Sequence, residues 1–136
     1  MGDKKIFKIQ IPSLMDNIRI VESFIDNAKD THNISDDIYG NIMIAVTESV
    51  NNAIKHGNKE DKRKKVNLAM EMSESRIKFL VEDEGEGFDF LHLIDPTAPE
   101  NIENPGGRGI FLMKHLSDEV NFTKNGKSVE LIFYMT

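Results

Sequence analysis

The sequence predicts an α+β fold: a two-layer sandwich with a mixed, mainly antiparallel sheet on one side and helices on one of its faces. Three observations predict it. Short segments alternate apolar and polar residues with a period of two, as half-buried strands do. Two longer segments carry apolar residues at helical spacing. These elements follow one another as strand, helix, helix, strand, strand, long loop, helix, strand, strand. At 136 residues the chain is read as one domain, 1–136. A chain of that length buries roughly two-thirds of its unfolded surface, enough for one core without disulfide or metal staples.

Taken in order, Phe7, Ile9 and Ile11 alternate with Lys8 and Gln10 in a first strand. Pro12 and Ser13 then open a helix, with Ser13 as its cap and Asp16 completing an acidic variant of the capping box. Leu14, Ile18, Val21, Ile25 and Ala28 form its buried stripe, and the polar run Lys29 to Asn33 ends it. Ser35 caps a second helix, whose first turn holds Asp36 and Asp37 against the helix dipole. That helix runs to about His56, with Gly57 as a left-handed stop. Val66, Leu68, Met70 and Met72, then Ile77, Phe79 and Val81, form a hairpin across Ser73-Glu74-Ser75. From Asp83 to Arg108 the chain is rich in Gly, Pro, Asn and Asp, and a loop that long inside a compact domain is usually functional. A short helix follows from Ile110 to Leu116. The last two strands, Val120 to Lys124 and Ser128 to Met135, join at Asn125-Gly126.

Composition narrows the function classes. The chain has no cysteine, which removes disulfides and thiolate metal sites, and it has no apolar run near the ~20 residues that cross a bilayer. The N-terminus alternates charged and apolar residues, unlike a signal peptide, so a cytoplasmic protein is expected. Net charge is −6, and the one basic run, Lys62-Arg63-Lys64-Lys65, reads as a solvated turn with no further sign of nucleic-acid binding. A polyphosphate ligand would need local dipoles, a few placed cations and Mg²⁺ to offset that field. His32, His56, His92 and His115 are not spaced as zinc ligands; only His56 borders the candidate site.

The second helix carries the chemistry. With Glu48 at zero and ~100° per residue, Ile42, Met43, Val46, Val50, Ala53 and Ile54 fall on the far side, while Asn41, Asn52 and Lys55 fall within ~40° of Glu48. Such a polar stripe faces either solvent or a site. Asn51-Asn52 in mid-helix has poor propensity and no packing benefit, which weighs toward a site. A carboxylate and an amide oxygen four residues apart suit a base beside a hard-cation ligand. Two glycine-rich segments follow. Asp83-Glu84-Gly85-Glu86-Gly87 comes directly after a strand, where glycines let backbone approach a ligand. Gly106-Gly107-Arg108-Gly109 opens into a helix, whose N-terminal N–H groups suit an anion.

In combination these segments resemble the GHKL ATPase superfamily, over roughly Phe7 to Met135, and within it the anti-sigma-factor serine kinases. The residues that carry the narrower likeness are Ala45 through Gly57 and Gly107 through Met113, with Asp118-Glu119-Val120 after them. The resemblance implies ATP and Mg²⁺ as ligands. It implies Glu48 as general base, Asn52 as the Mg²⁺ ligand, and Lys55 as a phosphate contact. It implies Asp83 as acceptor of the adenine amino group, Gly85 and Gly87 as pocket lining, and a lid over about 91–108. Gly107 and Gly109 would close over the phosphates, and Arg108 either compensates phosphate charge or is an exposed lid residue. Implied partners are a sigma factor and a STAS-type anti-anti-sigma protein, and relatives are commonly homodimers. One departure stands out: the threonine that often follows the last hairpin's glycine and supports the aspartate is Lys127 here, with Ser128 on the other face of the strand. A protein-serine kinase with anti-sigma function leads; a nucleotide-gated binding module without turnover and a detached histidine-kinase catalytic domain are the rivals.

Overall fold

The computed structural model describes residues 4–85 and 105–135. Five strands form one sheet: β1 (Lys5–Pro12), β2 (Lys65–Met72), β3 (Arg76–Glu82), β4 (Glu119–Thr123) and β5 (Ser128–Tyr134), in the order β1-β2-β3-β5-β4. Every pairing among them is antiparallel. Three α-helices, α1 (Ile18–His32), α2 (Asp36–Asn52) and α3 (Pro105–Leu116), complete the described elements, so the expected α+β class holds.

Register explains the two layers. Leu68 faces Val81, Met70 faces Phe79, and Phe79 faces Leu131, so the apolar set of each strand lands on one face. That face packs with Val21 and Ile25 of α1, Ile42, Val46 and Val50 of α2, and Ile110 and Met113 of α3 in a single core. The opposite face carries charge: Lys78 lies 3.6 Å from Glu71 and 3.7 Å from Glu130, and Lys4 pairs with Glu71 at 3.0 Å.

Several local expectations are corrected. Ser13 does not cap α1; it is fully buried, and its hydroxyl donates to the Lys64 carbonyl at 2.7 Å. A 3₁₀ turn, Met15–Asn17, intervenes before α1, which leaves Leu14 43% exposed rather than in the buried stripe. The polar run Lys29 to Asn33 does end α1, which continues to His32 and stops at Asn33 with φ 55°. Ser35 does occupy the cap position of α2, with its side chain making no cap hydrogen bond. Gly57 is not left-handed: α2 widens into a π turn over Ala53–Gly57, and Gly126 is the glycine with positive φ among the described residues. The last hairpin turns through four residues rather than two, since Thr123 pairs with Ser128 across a 3₁₀ turn at Lys124–Gly126.

Candidate active site

The site sits where α2, α3 and the end of β3 meet. Along α2, Glu48 is half-buried and Asn52 is 7% exposed, held by the apolar stripe that anchors the other side of the helix in the core. The wheel describes them correctly up to Asn52. Beyond it the ~100° step fails, because a π turn takes more residues per turn. Lys55, expected beside Glu48, is exposed, whereas His56 is half-buried. Burial, with a smaller contribution from the Lys55 charge, holds the His56 imidazole below its ordinary pKa.

Helix α3 begins earlier than the sequence suggests. Pro105 takes the first helical position, where its missing N–H costs nothing, so Gly107, Arg108 and Gly109 lie inside the helix rather than before it. Gly109 is buried and faces α2 so closely that a Cβ there would stand 2.9 Å from Asn52 Nδ2 and 3.2 Å from Glu48 Oε2. Only glycine permits this approach. It brings the backbone of α3, one turn in from its N-terminus, beside the Glu48 carboxylate. Arg108, one residue earlier, is exposed.

Asp83 is enclosed by two glycines. A Cβ on Gly57 would meet its Oδ2 at 2.3 Å, and a Cβ on Gly85 would overlap the Gly57 carbonyl oxygen at 1.8 Å. The Gly85 N–H donates to Asp83 Oδ1 at 2.8 Å, and the Asp83 N–H donates to the Lys127 carbonyl at 2.9 Å. Burial raises the Asp83 pKa, against the Gly85 hydrogen bond and the charges of Lys127 and Lys64, which pull it down. Beneath this turn lies Asn58, fully buried, which donates to Ser13 Oγ at 2.7 Å and to the Lys65 carbonyl at 3.0 Å while accepting from the Glu84 N–H at 2.8 Å. Glu84 in turn accepts from the Lys65 N–H.

Between these segments is a pocket of about 10 Å³, lined by Ser49, Asn52, Ala53, Val81, Asp83, Met113, Phe122, Gly126, Lys127 and Val129. Ser128 is not in that lining; it pairs with Glu82 in the sheet. Within the lining, Asn52 Nδ2 and Ser49 Oγ are buried without a hydrogen-bond partner among the described residues. A native interior seldom leaves such groups unpaired unless something else satisfies them. The chemistry of the donor set suits a polyphosphate with a hard cation: one carboxylate, one amide and the N-terminal end of a helix.

The structure therefore brings together Glu48, Asn52, Asp83, Gly85 and Gly109. Gly87 and positions 91–104 of the expected lid lie outside the described residues. Sequence reasoning missed Ser49, Gly57 and Asn58. The spacing makes Gly57 a conformational stop, whereas its reason here is contact with Asp83. No group of histidine and acidic residues able to hold a metal occurs among the described residues, nor does any helix there have the length and apolarity to cross a membrane.

Comparison with known proteins shows the family. The family model described as "Histidine kinase-like ATPase domain" matches residues 11–133. A serine-protein kinase RsbW of Staphylococcus epidermidis is 30% identical over 136 aligned positions, covering 94% of this chain and 86% of that protein. The serine-protein kinases RsbW of Bacillus subtilis (strain 168) and Staphylococcus aureus (strain JH9) are each 28% identical, covering 94% and 99% of this chain and 84% and 91% of theirs. A match that spans the first strand's end, both glycine segments and the last hairpin takes in every element around the pocket, and the chain belongs to the histidine kinase-like ATPase domain family.

Proposed function

We propose that the chain is an ATP-dependent protein-serine kinase that also acts as an anti-sigma factor. In this reading it phosphorylates a small STAS-type anti-anti-sigma protein and, in its other state, holds a sigma factor inactive, as a homodimer in the cytoplasm. The observation that carries the reading is the convergence of three distant segments: Gly109 of α3 lies against Glu48 and Asn52, while Gly57 and Gly85 close around Asp83.

Each residue then has one task. Asp83 accepts a hydrogen bond from the adenine amino group. Gly85, with Gly87, lets backbone come near the base. The N-terminal turn of α3, with Gly107 and Gly109, receives the phosphates, and Lys55 and Arg108 supply positive charge from the exposed side. Asn52 offers its amide oxygen to Mg²⁺; the unpartnered Asn52 Nδ2 fits this, because amide O and N are assigned by their surroundings and the oxygen can take that place. Mg²⁺ bound there neutralises phosphate charge that a chain of net −6 does not attract on its own. Glu48 accepts the proton of the incoming serine hydroxyl. Phosphoryl transfer asks little more of a protein than such positioning and charge compensation.

Two measurements test the reading. With γ-labelled ATP and a purified STAS-type protein, Glu48→Ala should bind ATP about as tightly as the parent and lose about 10²- to 10⁴-fold in transfer. Unchanged transfer would remove Glu48 as base. Binding by the parent with no turnover would leave a nucleotide-gated module, and label on histidine would place the chain with the histidine kinases. Separately, ATP with Mg²⁺ at about 100 times Kd should stabilise the parent by about 2.7 kcal/mol and Asp83→Ala much less. Equal shifts would detach Asp83 from the nucleotide.

A further inference from the structure

The pocket beside Asp83 contains one uncharged polar group with no task so far. Ser49 is 2% exposed, its Oγ has no hydrogen-bond partner among the described residues, and it shares the pocket lining with Asp83. It is the one side-chain hydroxyl in that lining. On the sheet side, Lys127 gives its carbonyl to the Asp83 N–H and its charge to the Asp83 carboxylate, and Ser128 sits in the ladder opposite Glu82. The ligand-free pocket, about 10 Å³, is on the order of one water.

We propose that Ser49 is a base-recognition residue, whose hydroxyl supplies the second polar contact to the purine edge, through one water held in this pocket. The inference rests on the reading that Asp83 takes the adenine amino group, and it follows from what that edge presents. Adenine offers a donor, the 6-amino group, beside an acceptor, N1. An ionised carboxylate accepts only, so Asp83 satisfies the first and cannot satisfy the second. A hydroxyl both donates and accepts: Ser49 donates to the water, the water donates to N1, and its second hydrogen goes to the Asp83 carboxylate.

The test is a binding cycle in ligand and protein together, by calorimetry on the full chain with ATP and with 1-deaza-ATP, which lacks the N1 acceptor. Ser49→Ala is expected to weaken ATP about five- to tenfold, the range of one hydrogen bond to a neutral partner. The parent should lose about the same factor on going to 1-deaza-ATP, while Ser49→Ala should lose nothing further. Ser49→Cys, which keeps a weak S–H donor at a similar size, should recover a small part of the ATP affinity. Because the change removes an unsatisfied hydroxyl from a helix, the ligand-free variant should melt no lower than the parent. ATP affinity unchanged in Ser49→Ala overturns the proposal, and so does a full further loss to 1-deaza-ATP in that variant. Asp83→Asn separates the two readings: if it binds ATP as the parent does, the Asp83 assignment itself fails, whereas a loss there beside an unaffected Ser49→Ala sinks only the role of Ser49.

Discussion

Asp83 is half-buried in the ligand-free protein, and burial raises its pKa above the ordinary carboxylate value. Folding is therefore opposed by this group when it is ionised: the penalty is absent below the unfolded-state pKa and grows as pH rises through the folded one. Asp83→Asn keeps the oxygen that accepts from the Gly85 N–H and discards the charge. It should raise the melting temperature of the ligand-free protein at neutral pH, by a margin that disappears in acid, while weakening ATP binding. A margin that is flat with pH would mean that ionisation of Asp83 is not the source. The same carboxylate dictates its glycine neighbour. A methyl at Gly57 would lie 2.3 Å from Asp83 Oδ2, whereas one at the exposed Gly40 of α2 meets nothing within 4 Å. Gly57→Ala should destabilise by about 1–3 kcal/mol, as overpacking does, and weaken ATP as well. Gly40→Ala should stabilise by about 0.5–1 kcal/mol in denaturant melts and leave ATP alone.

Among the elements, the π turn at Ala53–Gly57 makes the site's geometry possible and ties it to the rest of the sandwich. Directly after it, Asn58 joins the β1–α1 junction, the start of β2 and the turn after β3 through Ser13, Lys65 and Glu84. Asn58→Ala leaves two acceptors and one donor without their partner, and at about 1–3 kcal/mol for an unsatisfied buried group it should cost at least about 2 kcal/mol. It should also loosen the Asp83 turn, raising the Kd for ATP more than it lowers transfer at saturation; a loss confined to transfer would contradict that. These elements also mark what the sequence made legible. Alternation of Leu68, Met70, Ile77 and Phe79 fixes which face they take, and the stripe Ile42–Val46–Val50 orients Glu48 and Asn52, because periodicity is a one-dimensional signal of burial. What periodicity cannot carry is contact between distant segments. Ser13 reads as a cap and Asn58 draws no reading, since nothing local says that each is buried against a partner 51 and 26 residues away, Lys64 for one and Glu84 for the other. The start of α3 differs from its sequence signal for a related reason: Gly106-Gly107 argues against a helix locally, and packing of Gly109 on α2 outweighs that propensity.

For the molecule as a whole, the sheet is the fixed platform and the pocket is the part that must change. Its floor comes from Val81 and Val129 on the paired strands β3 and β5, and its walls come from α2, from Met113 on α3, and from Phe122 on β4. About 10 Å³ accommodates a single water and not a purine ring, so a nucleotide enters only after these walls separate. The sheet floor is poorly placed to yield, because β3 and β5 are interior strands hydrogen-bonded on both sides. The pocket end of the α2–α3 seam is better placed: although Ile110 and Met113 anchor α3 in the core, that end closes on Gly109, which has no side chain, and on Asn52, whose amide nitrogen has no partner among the described residues to give up. Parting that seam costs free energy before any contact with ATP repays it, which lowers the apparent affinity by the fraction of molecules already open. In rapid mixing with a fluorescent ATP analogue, the observed rate of binding should level off with rising ligand, at the rate of opening. Amide exchange in α3 should be faster than in β3 without nucleotide and slow on its addition. A binding rate that climbs in proportion to ligand throughout, with α3 amides as protected as those of β3, would mean that the base enters without separating α3 from α2.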